Sequence, residues 1–438
     1  MVRSLVLLLL GAAALATDAA VVNSNVKRYA FALPKRQSAR LAHVTAKCGK
    51  KAAICEVVRV DTEESALVDQ YAVVMQHAVP AGEPGHIKLT AYYTRVLTPF
   101  PTEVTQTDDQ LVLYEDAHVF TSPYRTETQT TKVKLPSGRI ESYSQVAPTA
   151  HKGASITYGP YTDVAPFVAP DKTIRIHFKN HSPFLTVTTL VKEIEVSMWG
   201  RVSFEEVYDL LHTGATLTGG FSRFDYSVKG ARGASFHELR ANLPRDAVNV
   251  YYRDQIGNVS TSRLRPTATR QELEFKPRFP IFGGWKSQWY LGYSVPTHSV
   301  LSRTGGNKFK LEVDFSTSLE GAAVDDLTVK VILPEGATNV EANLPFEVDA
   351  QSRTTRQTYL DTPVFGRPVL VLQKKNVVAQ HNVPFEVTFE FQTSFMLHEP
   401  LLLVGAFLAL FLFCMLVFRL DVSLVKTTAP HAKKPKTE

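Results

Sequence analysis

Enzyme motifs are missing from this 438-residue sequence. Residues 236–240 (FHELR) begin like an HExxH zinc helix but lack its second histidine, and there is no GxSxG elbow, no phosphate-binding P-loop and no spaced DxD pair. Each of these motifs places a nucleophile, a metal or a phosphate beside the groups that activate it. We therefore expect no catalytic residue, no metal site and no cofactor.

Cysteine is also scarce, with three residues in the chain. Cys414 lies inside a long apolar run, where we expect inert packing. Cys48 and Cys55 flank the loop CGKKAAIC, and no histidine stands nearby at ligand spacing, which disfavours a metal or catalytic pair. In an oxidising compartment the spacing makes Cys48 and Cys55 a candidate disulfide.

The body of the chain has no marked excess of charge. The formal net charge is +6, but five basic residues lie in the last 20 positions and Arg3 lies near the start. Without these two segments the body is close to neutral. The composition therefore gives no reason to expect a nucleic acid partner.

Two apolar segments stand near the ends of the chain. At the N-terminus, one basic residue, a short apolar run and small residues predict a signal peptide over residues 1–16, with cleavage possibly as late as residue 20. Residues 401–418 form an uncharged run of 18 residues. As a helix this run spans about 27 Å, which matches a thin bilayer. We predict a transmembrane helix over residues 400–419.

The charges around this span predict its orientation. Basic residues follow the span, so the positive-inside rule makes residues 420–438 a short basic cytosolic tail and places the bulk of the chain in the lumen. Lys434 and Lys436 have the spacing of a dilysine retrieval signal, which would hold a type I protein in the endoplasmic reticulum membrane. The alternative is a solvated basic tail beside acidic headgroups.

Most of the lumenal part alternates between apolar and polar residues with period two. Residues 173–178, 308–315, 327–333 and 385–391 all show this pattern, which predicts half-buried strands. His177 falls on a polar face and is expected to be a solvated strand residue. With 25 prolines and 23 glycines between the runs, we predict a mainly antiparallel β architecture with a few short helices.

A weak internal repeat suggests two tandem β domains. Residues 132–144 and 330–345 each combine a strand, a proline, a glycine turn and a second polar strand. With the chain length, this repeat predicts lumenal domains over residues 17–232 and 233–399, with saddle-like or sandwich-like sheets.

One segment departs from the alternation. In residues 203–214 (SFEEVYDLLHTG), Ser203 and Glu206 have capping-box spacing, apolar residues recur at helical spacing, and Gly214 can end a helix. We predict a short amphipathic helix here. The adjacent acids Glu205 and Glu206 are assigned a structural use, because neighbouring helix residues point about 100° apart.

Two sequons mark candidate N-glycan acceptors. Asn258 follows Gly257 in a turn between two strand-like runs, and Asn258-Val259-Ser260 is an acceptor sequence. Asn180-His181-Ser182 is a second sequon, weakened by the proline that follows it. We expect a glycan on Asn258, and Asn180 is the weaker candidate.

The aromatic segment at residues 282–293 (FGGWKSQWYLGY) resembles a sugar-stacking platform. Written as a strand, Trp285, Trp289, Leu291 and Tyr293 fall on one face, while the other face is mixed. A sheet that packs on a core has one apolar face, whereas a platform needs uncovered aromatic rings. We therefore predict the second arm of a hairpin that packs against the core.

Several long segments form a collinear pattern over nearly the whole mature chain: residues 194–226, 250–262 and 277–296, together with VKVILPEGATNVE, TYLDT and MLHEPLLLV. This pattern resembles the ribophorin I family, the large single-pass subunit of the oligosaccharyltransferase complex. The resemblance implies two tandem lumenal β domains similar to the saddle-shaped non-catalytic domains of zinc aminopeptidases.

The resemblance also implies a function. The chain would be a non-catalytic subunit that supports assembly and substrate presentation while dolichol-linked oligosaccharide is transferred to sequon asparagines. Its partners would be the catalytic multispanning subunit, other subunits of the complex, nascent polypeptides and the translocon. The catalytic subunit carries a WWDYG motif, and this sequence does not contain that motif. Animal relatives have a long cytosolic region proposed to contact the ribosome, and the short tail puts that contact in doubt. The alternative function is a stand-alone membrane-anchored lectin or chaperone.

Overall fold

The computed structural model of the chain describes residues 5–10, 12–14, 26–49, 53–60, 68–79, 85–168, 172–180, 184–229, 235–358, 361 and 366–420. These residues form mainly β-strands in several antiparallel sheets, with few helices. The predicted fold class is therefore confirmed.

The first half of the chain contributes strands to several small sheets. In chain order these strands are β1 Leu5–Leu10, β2 Ala12–Ala14, β3 Val26–Pro34, β4 Leu41–Cys48, β5 Ala53–Val60, β6 Val68–Val79, β7 Ile87–Tyr93, β8 Leu97–Pro99, β9 Glu103–Val104, β10 Leu111–Ala117, β11 Thr126–Lys134, β12 Ile140–Tyr143, β13 Thr149–Lys152, β14 Ser155–Val164 and β15 Thr173–Lys179.

The second half contributes longer strands. They are β16 Leu185–Val196, β17 Arg201–His212, β18 Thr216–Leu217, β19 Leu239–Pro244, β20 Val248–Asp254, β21 Ser262–Pro266, β22 Arg270–Phe275, β23 Lys286–Pro296, β24 Leu301–Gly305, β25 Lys308–Asp314, β26 Ala323–Ile332, β27 Thr338–Asn343, β28 Ala350–Arg356, β29 Arg367–Val377 and β30 Pro384–Glu390.

Short helices connect some of these strands, and one long helix follows the last strand. The α-helices are α1 Lys35–Ser38, α2 Arg223–Lys229, α3 Thr297–Val300 and α4 His398–Arg419, and 3-10 turns cover Ala379–His381 and Thr393–Leu397. Within the described residues, one helical segment, Thr393–Arg419, is long and apolar enough to cross a membrane. It contains the predicted span over residues 400–419.

The strands up to β15, except β9, form two main sheets and a third that continues to the N-terminus, while β9 pairs with β18. The sheet orders are β3-β6-β5-β4-β7, β12-β15-β10-β8 and β13-β14-β11-β1-β2. Strands β1 and β2 fall within the predicted signal peptide, which stays a prediction. Because β1 pairs in parallel with β11, removal of residues 1–16 would open that edge of β11.

The largest sheet has seven strands in the order β20-β23-β17-β16-β26-β29-β28. Its central strands β16 and β26 run parallel, and its other neighbours are antiparallel. The sheet packs over β19-β22-β21 and β24-β25-β30-β27, and together they enclose the largest apolar core. The domain boundary predicted between residues 232 and 233 thus separates β16 and β17 from strands with which they pair.

The predicted helix over residues 203–214 is wrong, because residues 201–212 form strand β17 in the interior of the large sheet. Every second residue of β17 from Val202 to His212 is buried, which is strand periodicity. The spacing of four residues between apolar side chains suggested a helix. It arises because Val207 and Leu211 are apolar residues on the less buried face of β17. Glu206 hid the alternation, since it is a charged residue at a fully buried position.

Candidate functional site

The residues suspected of chemistry do not converge. Within the described ranges, no group of three or more histidine, cysteine, aspartate or glutamate side chains could hold a metal ion. His177 lies half-buried on β15, with a ring nitrogen 2.8 Å from the carbonyl oxygen of Phe100. In the FHELR segment, Glu238 pairs instead with Arg240 at 3.1 Å.

The most buried charges of the large sheet are Lys192 on β16 and Glu206 on β17. Their side chains are 2% and 0% exposed, and the Lys192 Nζ lies 3.4 Å from the Glu206 Oε1. The ammonium also donates to the carbonyl oxygens of Asp314 and Ser316 at 2.8 and 2.6 Å. The pair therefore joins the sheet to the chain that follows β25.

The Glu206 carboxylate has further donors in the core. Ser318 donates its backbone N–H to Oε2 at 3.1 Å and its hydroxyl to Oε1 at 2.9 Å, and the Tyr208 hydroxyl donates to Oε2. Burial, together with the nearby carboxylate, raises the pKa of the Tyr208 phenol well above its usual value. Both carboxylate oxygens are engaged in a solvent-free network, which suits a structural role better than acid–base chemistry.

Lys192 and this network were not found from the sequence. The signal was nevertheless present, because Leu190, Lys192 and Ile194 alternate as one face of a strand. A lysine on a buried face requires an acidic or carbonyl partner, and the opposite strand provides Glu206. Glu205 points to the other face of β17 and accepts from the Tyr251 hydroxyl at 2.7 Å.

The aromatic segment packs into the core as predicted, but the predicted hairpin is wrong. Strand β23 pairs with β17 and β20, whereas the preceding strand β22 belongs to another sheet, so the turn between them connects two sheets. Trp289 is 1% exposed, and its ring stacks on Tyr208 with the centroids 4.1 Å apart. Leu291 and Tyr293 lie on the same buried face of β23. Their rings and side chains are covered by protein, so this face offers no platform for a sugar.

Trp285 belongs to a different aromatic group. It precedes β23 and makes edge contacts with Phe221, Phe279 and Phe282 at centroid distances of 6.0, 5.9 and 5.4 Å. Phe279 is 47% exposed, so this group reaches the surface. The aromatic side chains available to a ligand lie here, at the start of β23, and not along the strand.

A groove of about 670 Å³ adjoins this aromatic group. Its lining mixes apolar and charged side chains, including Tyr252, Asp209, Arg278, Phe279, Lys286 and Gln288. Arg278 is fixed by Asp254, to which its Nη2 donates at 3.0 Å. Hydrogen bonds from Arg278 and from two backbone N–H groups hold the pKa of the Asp254 carboxyl below its usual value, although partial burial opposes them.

The two sequon asparagines lie in different surroundings. Asn258 is exposed in a turn next to the groove, where its Oδ1 accepts from the Arg253 guanidinium at 2.7 Å. Asn180 is 6% exposed, and its backbone N–H donates to the Gln110 carbonyl at 3.1 Å. A transferase must reach the side-chain amide, so this difference favours Asn258 as an acceptor.

The remaining predicted site residues are the cysteines and the tail lysines. Cys48 at the end of β4 and Cys55 in β5 are joined by a disulfide, with their Cα atoms 6.1 Å apart. The bond closes the loop between two paired strands. Lys434 and Lys436 lie outside the described residues, so the retrieval signal stays a prediction.

The start of the long helix is tied to the large sheet by Arg367, the first residue of β29. Its guanidinium donates to Asp361 at 3.2 Å and to Glu399 of α4 at 3.3 Å, and it also pairs with Glu195 of β16. The Arg367 side chain is 13% exposed, so this cluster is partly shielded from water. Burial works against ionisation of Asp361, but hydrogen bonds from Thr358 and the charge of Arg367 still lower its pKa.

A second contact lies beside this cluster. Phe395, in the turn before α4, packs against the core of the large sheet and directly over Gly336. Gly336 has φ +81°, and a Cβ at this position would overlap the Phe395 ring. The base of α4 is thus held by one ionic cluster and one ring contact, neither of which was evident from the sequence.

Comparison with known proteins shows clear relatives. A family model for Ribophorin I matches residues 13–418. Dolichyl-diphosphooligosaccharide–protein glycosyltransferase subunit 1B of Arabidopsis thaliana is 43% identical over 360 residues, which cover 81% of this chain and 76% of the relative. Subunit 1 of Caenorhabditis elegans is 35% identical over 418 residues, covering 94% of this chain and 70% of the relative.

Solved structures give only a weak match. An M1 zinc metallopeptidase from Deinococcus radiodurans aligns at a TM-score of 0.28 and 13% identity, over 47% of this chain and 42% of that enzyme.

The fold defines a mainly β protein whose C-terminal helix is long and apolar enough to cross a membrane. The family match covers nearly all of that architecture, from the N-terminal strands to the last turn of α4. The chain belongs to the ribophorin I family. Its relatives are subunits of a glycosyltransferase complex, which supports a role for this chain in that complex and in N-glycosylation.

Proposed function

We propose that this chain is a non-catalytic subunit of the oligosaccharyltransferase complex in the endoplasmic reticulum membrane. It would support assembly of the complex and present nascent polypeptides to a separate catalytic subunit. The observation that carries this proposal is the family match over residues 13–418, which includes both the β body and the membrane helix. A β body that holds the base of its helix through Arg367 and Phe395 suits a presenting role.

The groove beside Phe279 is the surface we assign to polypeptide contact. It is open, it mixes aromatic, acidic and basic side chains, and it lies next to an exposed aromatic ring. Such a lining can accept varied side chains with little sequence preference, as a general substrate-presenting subunit requires.

Depletion and complementation test this function. Cells depleted of the protein should under-glycosylate reporter glycoproteins, and the wild-type chain should restore them. We expect Phe279→Ser to restore them only in part, whereas Phe167→Ser should restore them fully. Phe279 and Phe167 are 47% and 46% exposed, so the two substitutions are matched. Full glycosylation in depleted cells, or a mild-detergent pull-down without glycosyltransferase subunits, would contradict the proposal.

We infer a type I orientation, with the β body in the lumen and residues 420–438 in the cytosol. The basic residues after the span support this orientation. A glycan on the exposed Asn258 would support it as well, because a glycan can be added there only in the lumen. Endoglycosidase treatment of membranes, combined with protease protection of the body, tests both statements.

The alternative, a stand-alone lectin or chaperone, has narrower support. Trp289 and Tyr293 are 1% and 4% exposed, so around the segment 282–293 the surface that could stack on a ligand is the aromatic group of Trp285 and Phe279. Glycan binding by the purified chain without other subunits, lost in Phe279→Ser, would favour this alternative.

A further inference from the structure

One end of the seven-stranded sheet coincides with the base of the membrane helix. Strands β16 and β26 both finish at this end, because they run parallel with Glu195 opposite Ile332. β29 begins there, and its Arg367 connects Glu195 to Glu399 of α4. The turn that follows β16, residues 197–200, therefore projects from the same end of the sheet as the helix.

Helix α4 leaves the body at this end and does not lie along the sheet. All of its residues from 401 to 419 are exposed except Cys414, which is half-buried. An apolar helix with no protein cover requires lipid around it. If α4 spans the membrane, the bilayer surface must begin close to Glu399, just below this end of the sheet.

Trp199 lies in the turn after β16, and it is 61% exposed. The turn is well fixed, since Ser197 N–H donates to the Arg201 carbonyl at 3.1 Å and Thr297 N–H donates to the Gly200 carbonyl at 3.0 Å. Gly200 has φ +110°, which a residue with a side chain rarely adopts. The fold thus presents a large, mostly exposed indole from a turn whose backbone is fixed.

We propose that Trp199 inserts into the lumenal interface of the bilayer and forms a second membrane contact beside α4. Indole is the side chain most suited to the headgroup region, because its ring is apolar while its N–H can meet water or a lipid ester. Arg201, exposed at the foot of the same turn, can meet lipid phosphate.

Distances along the fold allow this contact. Two strand spacings separate β16 from β29, which places the turn about 10 Å to the side of Arg367. The tip of the turn extends about 7–10 Å beyond Glu195 at strand rise. Leu401, where the apolar run starts, lies only about 3 Å along the helix beyond Glu399. With α4 continuing in the direction of β16, these lengths bring the indole to the depth at which the hydrocarbon begins.

Brominated lipids can test this contact in the full-length chain. Bromine on the acyl chain quenches a tryptophan that reaches it, and the chain has three tryptophans. Trp285 and Trp289 lie toward the opposite end of β23, whose Pro296 is paired with Arg201. At strand rise, Trp285 is about 35 Å from the Trp199 end. Quenching by lipid should therefore report Trp199 alone.

The chain would be reconstituted into phosphatidylcholine vesicles with or without bromine on the acyl chains, and floated on a density gradient. We expect bromine to quench the wild-type emission, with loss of that quenching in Trp199→Phe and full retention in Trp285→Phe. Unchanged emission of the buried Trp289 would show that the variants fold.

The outcomes separate this inference from the proposed function, on which its membrane premise rests. A chain that floats but is quenched equally in wild type and Trp199→Phe overturns the inference alone. A chain that floats and shows no lipid quenching also overturns it. A chain that does not float refutes the membrane anchor, and the inference fails with it.

Discussion

Removal of the buried Lys192 should strongly destabilise the large sheet. Lys192→Met keeps the length of the side chain but removes the cation that faces Glu206 and donates to the carbonyls of Asp314 and Ser316. The Glu206 carboxylate then stays in the core without its counter-charge, and two backbone carbonyls lose a donor. Breaking one side of a buried pair typically costs about 3–5 kcal/mol, and we expect a free energy of unfolding lower by this amount.

The opposite substitution should cost a similar amount. In Glu206→Gln, Lys192 keeps both carbonyl acceptors, but its ammonium stays in the core without a counter-charge, and the new amide NH2 faces groups that donated to the carboxylate. We expect a loss of about 3–5 kcal/mol, the range for removal of one side of a buried pair. The double variant should lose less stability than the two single losses added together. We expect the difference to be about 0.5–3 kcal/mol, because the two groups are in contact.

Urea unfolding of the full-length chain in mild detergent measures these values. Trp289 is a suitable reporter, since its ring stacks on Tyr208, which itself donates to Glu206. Lys330→Met is the matched control: Lys330 pairs with Glu193 at 3.0 Å on the same sheet, but the two side chains are 37% and 25% exposed. A partly exposed pair of this kind contributes about 0–1 kcal/mol.

Two results would refute the reasoning. One is a Lys192→Met variant that loses no more stability than Lys330→Met. The other is a double variant whose loss equals the sum of the single losses, which would mean that the ion pair carries no coupling energy.

Three further predictions concern the surface and the base of the helix. Asn258→Gln should increase gel mobility and abolish the endoglycosidase shift, whereas Asn180→Gln should change neither, because Asn180 is 6% exposed. The pKa of Asp361 is lowered in the folded chain, so its stabilisation is present above the unfolded value of about 4 and is lost as pH falls through the folded value. The difference in thermal unfolding between wild type and Asp361→Asn should therefore be large at pH 7 and should disappear in acid. Gly336→Ala should cost at least the roughly 1–2 kcal/mol of a left-handed alanine, and should expose the turn at Phe395 to protease.

The strand content was predictable from local periodicity. Where one face of a strand meets a core made only of apolar side chains, as in Ile174, Ile176 and Phe178 of β15, the alternation can be read directly from the sequence. The same holds for Trp289, Leu291 and Tyr293, whose burial distinguished a core strand from a sugar platform. These predictions succeeded because each depended only on neighbours within one strand.

The predictions that failed or were not made depended on residues far apart in the chain. Glu206 looks like an exposed acid until Lys192 and Ser318 are placed beside it, 14 and 112 positions away. With Glu206 counted as polar, the alternation of β17 breaks and a helical spacing remains. Arg367 is equally uninformative by itself, because Glu195 and Glu399 are brought to it only by the sheet and by the base of α4. Such partners follow from topology, which local patterns do not contain.

The height of the groove above the membrane limits what it can contact. β23 runs from Lys286, which lines the groove, to Pro296, which is paired with Arg201 near the membrane end of the sheet. Ten strand residues put the groove about 35 Å from that end. A lipid-linked donor keeps its pyrophosphate at the bilayer surface, well below the groove, whereas a polypeptide in the lumen can reach this height. Within the proposed function, the groove is therefore suited to the acceptor polypeptide and not to the donor. The Arg367 cluster supports this role, because it joins the sheet to the base of α4 and so fixes the distance between the groove and the membrane.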